Sequence, residues 1–219
     1  MINNPQRLEK KWVFKNINKE ILIQNLINHN LFFREHFEER FVNSIYFDNL
    51  NLKFAEDNLA GISDREKIRI RWYGSNSDTL EKPILEKKIK KNLEGFKKYL
   101  KIDHFENKKI DELNLIKLTK SVNKILNTNN LIPITQICYK RIYLISYDHK
   151  VRATIDYDVK YKKLKNYIHN FFVKSHDIVL EIKYASHLDS FLRNKINGIT
   201  RISKNSKYIN SLAKNNFFK

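Results

Sequence analysis

The chain has 219 residues and a mass of 26.4 kDa, enough for one large domain, or two small ones, with a substantial core. Its formal charge of +18, from 42 Lys and Arg against 24 Asp and Glu, indicates polyanionic partners: nucleic acid, an anionic membrane surface or phosphorylated small molecules. No run approaches the ~18 consecutive apolar residues of a membrane span, and Cys138 has no second cysteine to pair with. We therefore expect a cytoplasmic protein that reaches a membrane only through a partner.

Arginine is more informative than lysine in this composition. Lysine supplies 32 of the 42 basic residues, and the abundance of Asn and Ile beside it is typical of an A+T-rich coding bias. Only ten arginines occur. Four of them fall on predicted strands, where a guanidinium group suits phosphate oxygens. These four are Arg69, Arg71, Arg141 and Arg152.

The pattern of apolar residues predicts alternating strands and helices along the whole chain. The first half contains a strand over residues 7–14, a helix over 19–28 capped by Asn18, strands over 42–48 and 67–73, and a weaker strand or short helix over 52–59. A hairpin over 84–102 with Gly95 in its turn follows, and then an amphipathic helix over about 109–127. The second half contains hairpin arms over 134–147 and 151–159, a loop or irregular helix over 160–172, a strand over 177–185, and helices near 188–196 and 207–213.

The strand over residues 67–73 separates charged from apolar side chains. Its alternation sends Lys67, Arg69 and Arg71 to one face, and isoleucines and a tryptophan to the other. For one strand alone, a solvated charged face is the simplest interpretation. Several other strands repeat the pattern, with charged faces that carry Lys11, Lys88, Arg141, Arg152 and Lys183 together with Glu9, Glu86, Asp156 and Glu181.

This repetition predicts a mainly β (α+β) fold, an eight-stranded antiparallel β-barrel tunnel with amphipathic helices packed outside. No linker or repeat divides the chain, so one domain over residues 1–219 is the simplest account. If the apolar faces pack against the helices, the charged faces point into the lumen, where two like charges ~4 Å apart repel by ~4 kcal/mol at an effective dielectric near 20. An anionic guest such as a triphosphate or polyphosphate would relieve that repulsion, and the carboxylates could hold its divalent cation.

Other phosphate and metal chemistries lack their motifs. The four glycines form neither a P-loop nor a Rossmann phosphate cradle, the seven histidines show no zinc-protease spacing, and one cysteine cannot build a zinc site. No recognised DNA or RNA module emerges, so we expect no nucleic-acid partner.

Eight short motifs follow one another along the chain: residues 7–12 (RLEKKW), 44–48 (SIYFD), 67–74 (KIRIRWYG), 85–88 (LEKK), 139–141 (YKR), 151–156 (VRATID), 180–184 (LEIKY) and 203–208 (SKNSKY). Together they resemble the catalytic domain of the vacuolar transporter chaperone (VTC) polyphosphate polymerases, a branch of the CYTH-like triphosphate tunnel metalloenzymes. The resemblance runs nearly end to end.

The resemblance implies a tunnel whose basic residues grip a nucleoside triphosphate and a growing phosphate chain. It implies catalytic roles for Lys11, Arg69, Arg71 and Arg152. It implies substrate binding by Lys88, Tyr139, Arg141, Lys183, Lys204, Ser206 and Lys207. Glu181 matches the metal-binding glutamate of the family, so we expect Mn²⁺ or Mg²⁺ to bind there against the phosphates. The local lysine run leaves Lys87 or Lys90 open in place of Lys88, with strand parity against Lys87.

The implied activity is transfer of the terminal phosphoryl group of ATP onto a growing inorganic polyphosphate chain, by positioning and charge neutralisation without a covalent enzyme intermediate. ATP and inorganic polyphosphate or triphosphate are therefore the expected partners. One alternative is an inorganic or nucleoside triphosphatase of the same fold, although the first strand offers Glu9 alone where hydrolases tend to pair glutamates. The other is a non-catalytic polyphosphate-binding module.

Overall fold

The computed structural model describes residues 7–91, 94–102, 104–164, 171–196 and 202–217. Within this part of the chain, the strands are β1 (Arg7–Phe14), β2 (Arg34–Asp48), β3 (Arg65–Tyr73), β4 (Thr79–Leu80), β5 (Ile84–Lys91), β6 (Glu94–Lys101), β7 (Lys108–Lys109), β8 (Ile132–Ile145), β9 (Arg152–Lys163), β10 (Val173–Ser175) and β11 (Ile178–Ala185). The α-helices are α1 (Lys19–Ile27), α2 (Lys53–Leu59), α3 (Glu112–Ile125), α4 (Asp189–Ile196) and α5 (Lys207–Lys214).

Eight strands form the main sheet in the order β1-β11-β9-β8-β2-β3-β5-β6, and β10 pairs with β9 beside them. The pairings of β1 with β11, β11 with β9, β2 with β3, β3 with β5 and β5 with β6 are all antiparallel. The short strands β4 and β7 form a separate pair. These pairings confirm the predicted mainly β fold of eight antiparallel strands with helices.

The chain groups into two compact units that alternate along the sequence. Unit 1 contains residues 1–40, 139–159 and 175–205, and unit 2 contains residues 41–138, 160–174 and 206–219. The chain therefore passes between the units five times, and β2, β8, β9 and β10 each contribute residues to both. The expectation of one domain over the whole chain stays a prediction.

The core of unit 1 lies on the apolar face of its strands. Trp12 of β1, Leu180 of β11 and Ile155 of β9 are all buried in one cluster, to which α1 adds Leu22 and Leu26. Asn18 accepts a hydrogen bond from the Glu20 amide and so caps α1, as its sequence predicts. Burial of these alternate residues leaves the intervening, charged residues on the opposite face.

The core of unit 2 contains the apolar half of the strand predicted over residues 67–73. Ile70 and Trp72 are fully buried against Leu85 of β5 and Leu118 of α3. Their burial fixes the strand register, because a slip by one residue would send the arginines into the core.

Asp48 anchors two helices of unit 2 to the end of β2. Its buried carboxylate accepts hydrogen bonds from the amides of Phe54 and Ala55 at 3.0 Å and from the Tyr208 hydroxyl at 2.7 Å. The first two bonds satisfy amides at the start of α2, and the third attaches α5.

Three predicted boundaries differ from the structure. Strand β2 begins at Arg34, whereas the prediction began it at residue 42. The first half of the strand is mostly exposed and lacks the apolar alternation from which a strand is predicted. Gly95 lies inside β6 opposite Lys90, not in a turn. Strand β9 continues to Lys163, so the prediction of a loop or irregular helix from residue 160 is wrong for residues 160–163. No helix among the described residues is long and apolar enough to cross a membrane.

Candidate functional site

In unit 1, two acidic and two basic side chains form a closed ring of ion pairs on the charged face of β1 and β11. The register sets Lys11 opposite Glu181 and Glu9 opposite Lys183. The Lys11 ammonium lies 2.7 Å from the Glu9 carboxylate and 3.4 Å from that of Glu181. Lys183 pairs with Glu181 and lies 3.8 Å from Glu9. The predicted metal residue thus already holds two of the predicted phosphate ligands in place.

The ring shifts the pKa values of Glu181 and Lys11 in opposite directions. Burial raises the pKa of Glu181, but the charges of Lys11 and Lys183 outweigh burial, so its pKa lies well below the usual 4.5. Burial lowers the pKa of Lys11, but the charges of Glu181 and Glu9 outweigh it and raise that pKa above the usual 10.5. Glu181 and Lys11 therefore remain charged across the physiological range.

Arg141 lies on the same face of unit 1 and forms a bidentate ion pair with Asp156. Its Nε and Nη2 atoms donate to the two carboxylate oxygens at 2.5 and 2.7 Å, and Asp156 is fully buried. The guanidinium also lies 5.3 Å from the centre of the Tyr139 ring. Burial lowers the pKa of Arg141, but the Asp156 charge outweighs it and raises that pKa well above its usual value. Two of the five N–H donors of Arg141 are therefore used by Asp156.

The remaining predicted residues of unit 1 are more accessible. Arg152 is exposed and stands opposite Lys183, and Lys204 is also exposed. The segment that carries Lys204 is attached to β1, since the Ser203 amide donates to the Lys11 carbonyl at 2.8 Å and the Lys11 ammonium donates to the Asn205 carbonyl at 3.4 Å. These contacts place Lys204 beside the ring of ion pairs by way of its neighbours in sequence.

In unit 2, Arg69 and Arg71 share one carboxylate. Arg69 Nη2 lies 2.5 Å from Glu86, and Arg71 Nη1 lies 3.7 Å from the other oxygen of that carboxylate. Burial raises the pKa of Glu86, but the two guanidinium charges outweigh it and hold that pKa below the usual 4.5. Arg69 also donates from Nη1 to the Tyr46 hydroxyl at 2.9 Å. Both predicted catalytic arginines of β3 are thus oriented by neighbouring strands.

A row of three lysines crosses β3, β5 and β6 beside these arginines. The register sets Lys67 opposite Lys88 and Lys88 opposite Lys97. Like charges directly opposite each other on neighbouring strands are destabilising unless an anion screens them. Lys87 lies on the other face and pairs with Glu66 at 2.8 Å, whereas Lys90 lies on the face of Lys88. Strand parity therefore places Lys88, and not Lys87, on the charged face.

The C-terminal motif brings two more predicted residues to this part of unit 2. Ser206 accepts a hydrogen bond from the Lys67 ammonium at 2.9 Å. Lys207 opens α5, and its charge acts on the Tyr46 hydroxyl together with those of Arg69 and Arg71. The next residue, Tyr208, stacks on Tyr46 with ring centres 5.1 Å apart. We call the group of Lys67, Arg69, Arg71, Lys88, Lys97 and Lys207 the basic face of unit 2.

The two units differ in charge balance. In unit 1 the cations alternate with Glu9, Glu181 and Asp156, each of which forms an ion pair. On the basic face of unit 2, Lys88 stands opposite both Lys67 and Lys97, and two arginines share the carboxylate of Glu86. Electrostatic attraction for a polyanion is therefore strongest in unit 2, and the oxygen ligands suited to a cation are in unit 1.

A family model described as the VTC domain matches residues 6–216. The chain belongs to the VTC domain family. The match covers both units and every motif on which the predicted resemblance rests. No curated protein matches the chain. Among solved structures, a Vibrio parahaemolyticus protein described as a proposed adenylate cyclase aligns with a TM-score of 0.49 and 11% identity, over 95% of this chain and 98% of that one.

The residues around Glu181 in this VTC domain fit a hard divalent cation bound in part by substrate. No three His, Cys, Asp or Glu side chains cluster in the described part of the chain, so a cage built from protein carboxylates alone is not seen there. Glu9 and Glu181 share the same two lysines, and the hydroxyl of Thr154, opposite Glu181 on β9, is buried without a hydrogen-bond partner in the described residues. Mg²⁺ typically binds one or two carboxylates and completes its shell with water and substrate phosphates.

Four residues of the site have roles that the sequence did not predict. Tyr46 was recognised only within the strand over residues 42–48, and Asp156 only as one of the carboxylates that could hold a cation. Their pairing with Arg69 and Arg141 depends on contacts between strands. Lys67 and Lys97 could have been found from the sequence. Lys67 lies on the same face of its strand as Arg69 and Arg71, and Lys97 lies on the same face of the sheet as Lys88. Lysine is too common in this chain for that signal to stand out.

Proposed function

We propose that this VTC domain is a metal-dependent polyphosphate polymerase that transfers the terminal phosphoryl group of ATP to inorganic polyphosphate. Membership of the VTC family supports an enzyme that acts on triphosphates. The observation that carries the proposal is the basic face of unit 2, where the row Lys67–Lys88–Lys97 runs beside two arginines that share one carboxylate. Such an excess of cations is stabilised by a bound polyanion and is costly without one.

The chain's own residues suit phosphoryl transfer by charge neutralisation. In the reaction an oxygen of the acceptor phosphate attacks the γ-phosphorus of ATP, and the bond from that phosphorus to the ADP oxygen breaks. Arg69 and Arg71 present guanidinium groups that neighbouring strands hold in position, so little reorganisation is needed when charge develops on the phosphoryl oxygens. No nucleophilic side chain is required, because the acceptor supplies the attacking oxygen.

Glu181 would hold the Mn²⁺ or Mg²⁺, with Glu9 and the Thr154 hydroxyl of unit 1 as further oxygen ligands. The cation would supply neutralisation of phosphate charge and orientation of the phosphates. Lys11 and Lys183, which hold the two carboxylates in the ion-pair ring, would then turn towards phosphate oxygens.

Incubation of the purified protein with ATP and Mn²⁺ tests the proposal. We expect an acid-stable phosphate polymer, its loss in Arg71→Ala, and an Arg71→Ala melting temperature close to that of the wild type. Binding of polyphosphate without polymer under any divalent metal would reject polymerisation and favour a binding module.

A triphosphatase is the second candidate, because Glu9 and Glu181 lie around the same pair of lysines and could both hold metal. The same experiment separates it from a polymerase. Release of orthophosphate from inorganic tripolyphosphate, without any chain longer than the substrate, would establish hydrolysis.

A further inference from the structure

Tyr46 lies among the cations of the basic face of unit 2 but has no role in the reaction so far. Its side chain is 6% exposed, and the register sets it opposite Arg69. Arg69 Nη1 donates to its hydroxyl oxygen at 2.9 Å, and the Arg69 guanidinium lies 5.7 Å from the centre of its ring. The phenol is therefore in direct contact with a predicted catalytic arginine.

The ring is fixed from its other side. Tyr208 stacks on it with the two ring planes 4° from parallel, and the Tyr208 hydroxyl donates to the buried carboxylate of Asp48. Asp48 is in turn fixed by amides at the start of α2. The Tyr46 hydroxyl is thus held in one place before any ligand binds, and a preorganised donor binds a ligand at a lower entropic cost.

The hydroxyl of Tyr46 retains its own hydrogen for donation. A phenol has one O–H to donate, and its hydrogen bond with Arg69 uses only the oxygen, as acceptor. Ser44, two residues earlier on the same face and opposite Arg71, has a buried hydroxyl that lacks a hydrogen-bond partner in the described residues. Strand β2 thus carries hydroxyls beside both arginines.

The electrostatic environment of Tyr46 is that of an anion site. Burial raises the pKa of its phenol, but the charges of Arg69 and Arg71, the hydrogen bond from Arg69 and the charge of Lys207 outweigh burial and bring that pKa below the usual 10.0. The three cations that act on the Tyr46 phenol would also attract an anion, so a bound phosphate would lie close to the Tyr46 hydroxyl.

We propose that Tyr46 is a substrate-binding residue whose hydroxyl donates a hydrogen bond to a phosphate oxygen held by Arg69, Arg71 and Lys207. This inference rests on the proposed function, since it names a further ligand for the same phosphates. Tyr46 accepts from an arginine and donates to the anion, so it links the guanidinium to the substrate through one hydroxyl group.

Calorimetric titration with inorganic tripolyphosphate, without metal or ATP, tests the proposal independently of turnover. Tyr46→Phe keeps the stacked ring and removes only the hydroxyl, and we expect its dissociation constant to rise about tenfold, the usual effect of losing a hydrogen bond to a charged group. Tyr147→Phe, at an exposed tyrosine of unit 1, is the matched control and should bind as the wild type does. Unchanged affinity in Tyr46→Phe would overturn the proposal, whereas absence of binding by the wild type would instead reject the proposed function.

A double-mutant cycle with Arg69→Gln separates direct contact from support of the arginine. If Tyr46 touches the phosphate, Tyr46→Phe should weaken binding further in the Arg69→Gln background. If it acts only by orienting Arg69, the second substitution should have no effect there, and the proposal would be wrong.

Absorbance titration of tyrosinate adds a readout that does not depend on the variant's folding. In the wild type Tyr46 should ionise below the usual pKa of 10.0, and tripolyphosphate should raise that pKa because a bound anion disfavours phenolate. No change on adding tripolyphosphate would contradict the proposal.

Discussion

At the scale of single residues, the predicted ligands separate into those of unit 1, which alternate with carboxylates, and those of unit 2, which lie on a face with six neighbouring cations. Arg141 forms a bidentate ion pair with the fully buried Asp156, and Lys11 and Lys183 form ion pairs with Glu9 and Glu181. On the basic face of unit 2, Arg69 and Arg71 share the Glu86 carboxylate, and Lys88 stands opposite both Lys67 and Lys97. We therefore expect substitutions in the two groups to change different properties.

Glu181→Gln should destabilise the fold as well as abolish activity, because a neutral amide replaces the buried carboxylate that pairs with both Lys11 and Lys183. We expect a loss of about 2 to 3 kcal/mol in the free energy of unfolding at neutral pH, somewhat below the range for fully buried pairs because the lysines are partly exposed. Chemical denaturation of wild type and variant measures it.

The pH dependence of that loss checks its cause. The folded pKa of Glu181 is depressed, so its contribution is present above the unfolded value of 4.5 and disappears as the pH falls through the folded pKa. The raised pKa of Lys11 makes the Lys11 contribution complete below 10.5 and lost as the pH rises through its folded value. The difference between wild type and variant should therefore be largest between these limits, and a constant difference at all pH values would contradict an ionic origin.

Arg141 and Arg152 form a matched pair of predicted phosphate ligands with different surroundings. Arg141→Ala should cost about 3 kcal/mol of stability, since it removes the bidentate cationic partner of the buried Asp156 carboxylate. Arg152→Ala should cost little or slightly stabilise the protein without ligand, because Arg152 is exposed and stands opposite Lys183. Thermal unfolding of the two variants measures both losses of stability. Equal losses would show that burial of Asp156 is not the cause.

At the scale of elements, strand parity decides which lysine can bind phosphate. Lys97 and Lys98 are neighbours on β6, yet Lys97 stands opposite Lys88 and Lys98 stands opposite Lys87 on the other face. Lys97→Gln should raise the dissociation constant for tripolyphosphate about fivefold, the effect of losing one partly screened charge. Lys98→Gln, which removes the same charge from the same strand, should leave it unchanged. A similar change in both variants would mean that only net charge matters.

Alternation also explains how much of the architecture could be predicted. Apolar periodicity gave β1, β3 and β5 with nearly their observed bounds, because each has one buried face. The first half of β2 has exposed residues on both faces, so no periodicity marks it. Gly95 suggested a turn from its conformational freedom, whereas the hairpin register places it opposite Lys90 within β6. Pairings such as Arg69 with Tyr46 depend on which strands become neighbours, information that no single segment contains.

At the scale of the whole molecule, the charge of +18 should govern how binding responds to salt. Screening shortens the reach of surface charges from about 10 Å at 0.1 M to about 3 Å at 1 M ionic strength. We expect tripolyphosphate affinity to fall at least about tenfold over that range, while the stability of the protein without ligand stays constant or rises as repulsion within the basic face weakens. Calorimetry and thermal unfolding in the same buffers measure both, and salt-independent affinity would contradict a charge-driven site.

The spacing of the lysine row of unit 2 also sets the length of phosphate chain that can contact all three lysines. Neighbouring strands lie about 4.8 Å apart, so Lys67, Lys88 and Lys97 mark a line about 10 Å long across three strands. A single orthophosphate can bridge only two adjacent positions, whereas a chain of several phosphates can engage all three. The spacing should therefore favour retention of longer chains over their shortest members, so that occupancy of the row increases as a polymer lengthens.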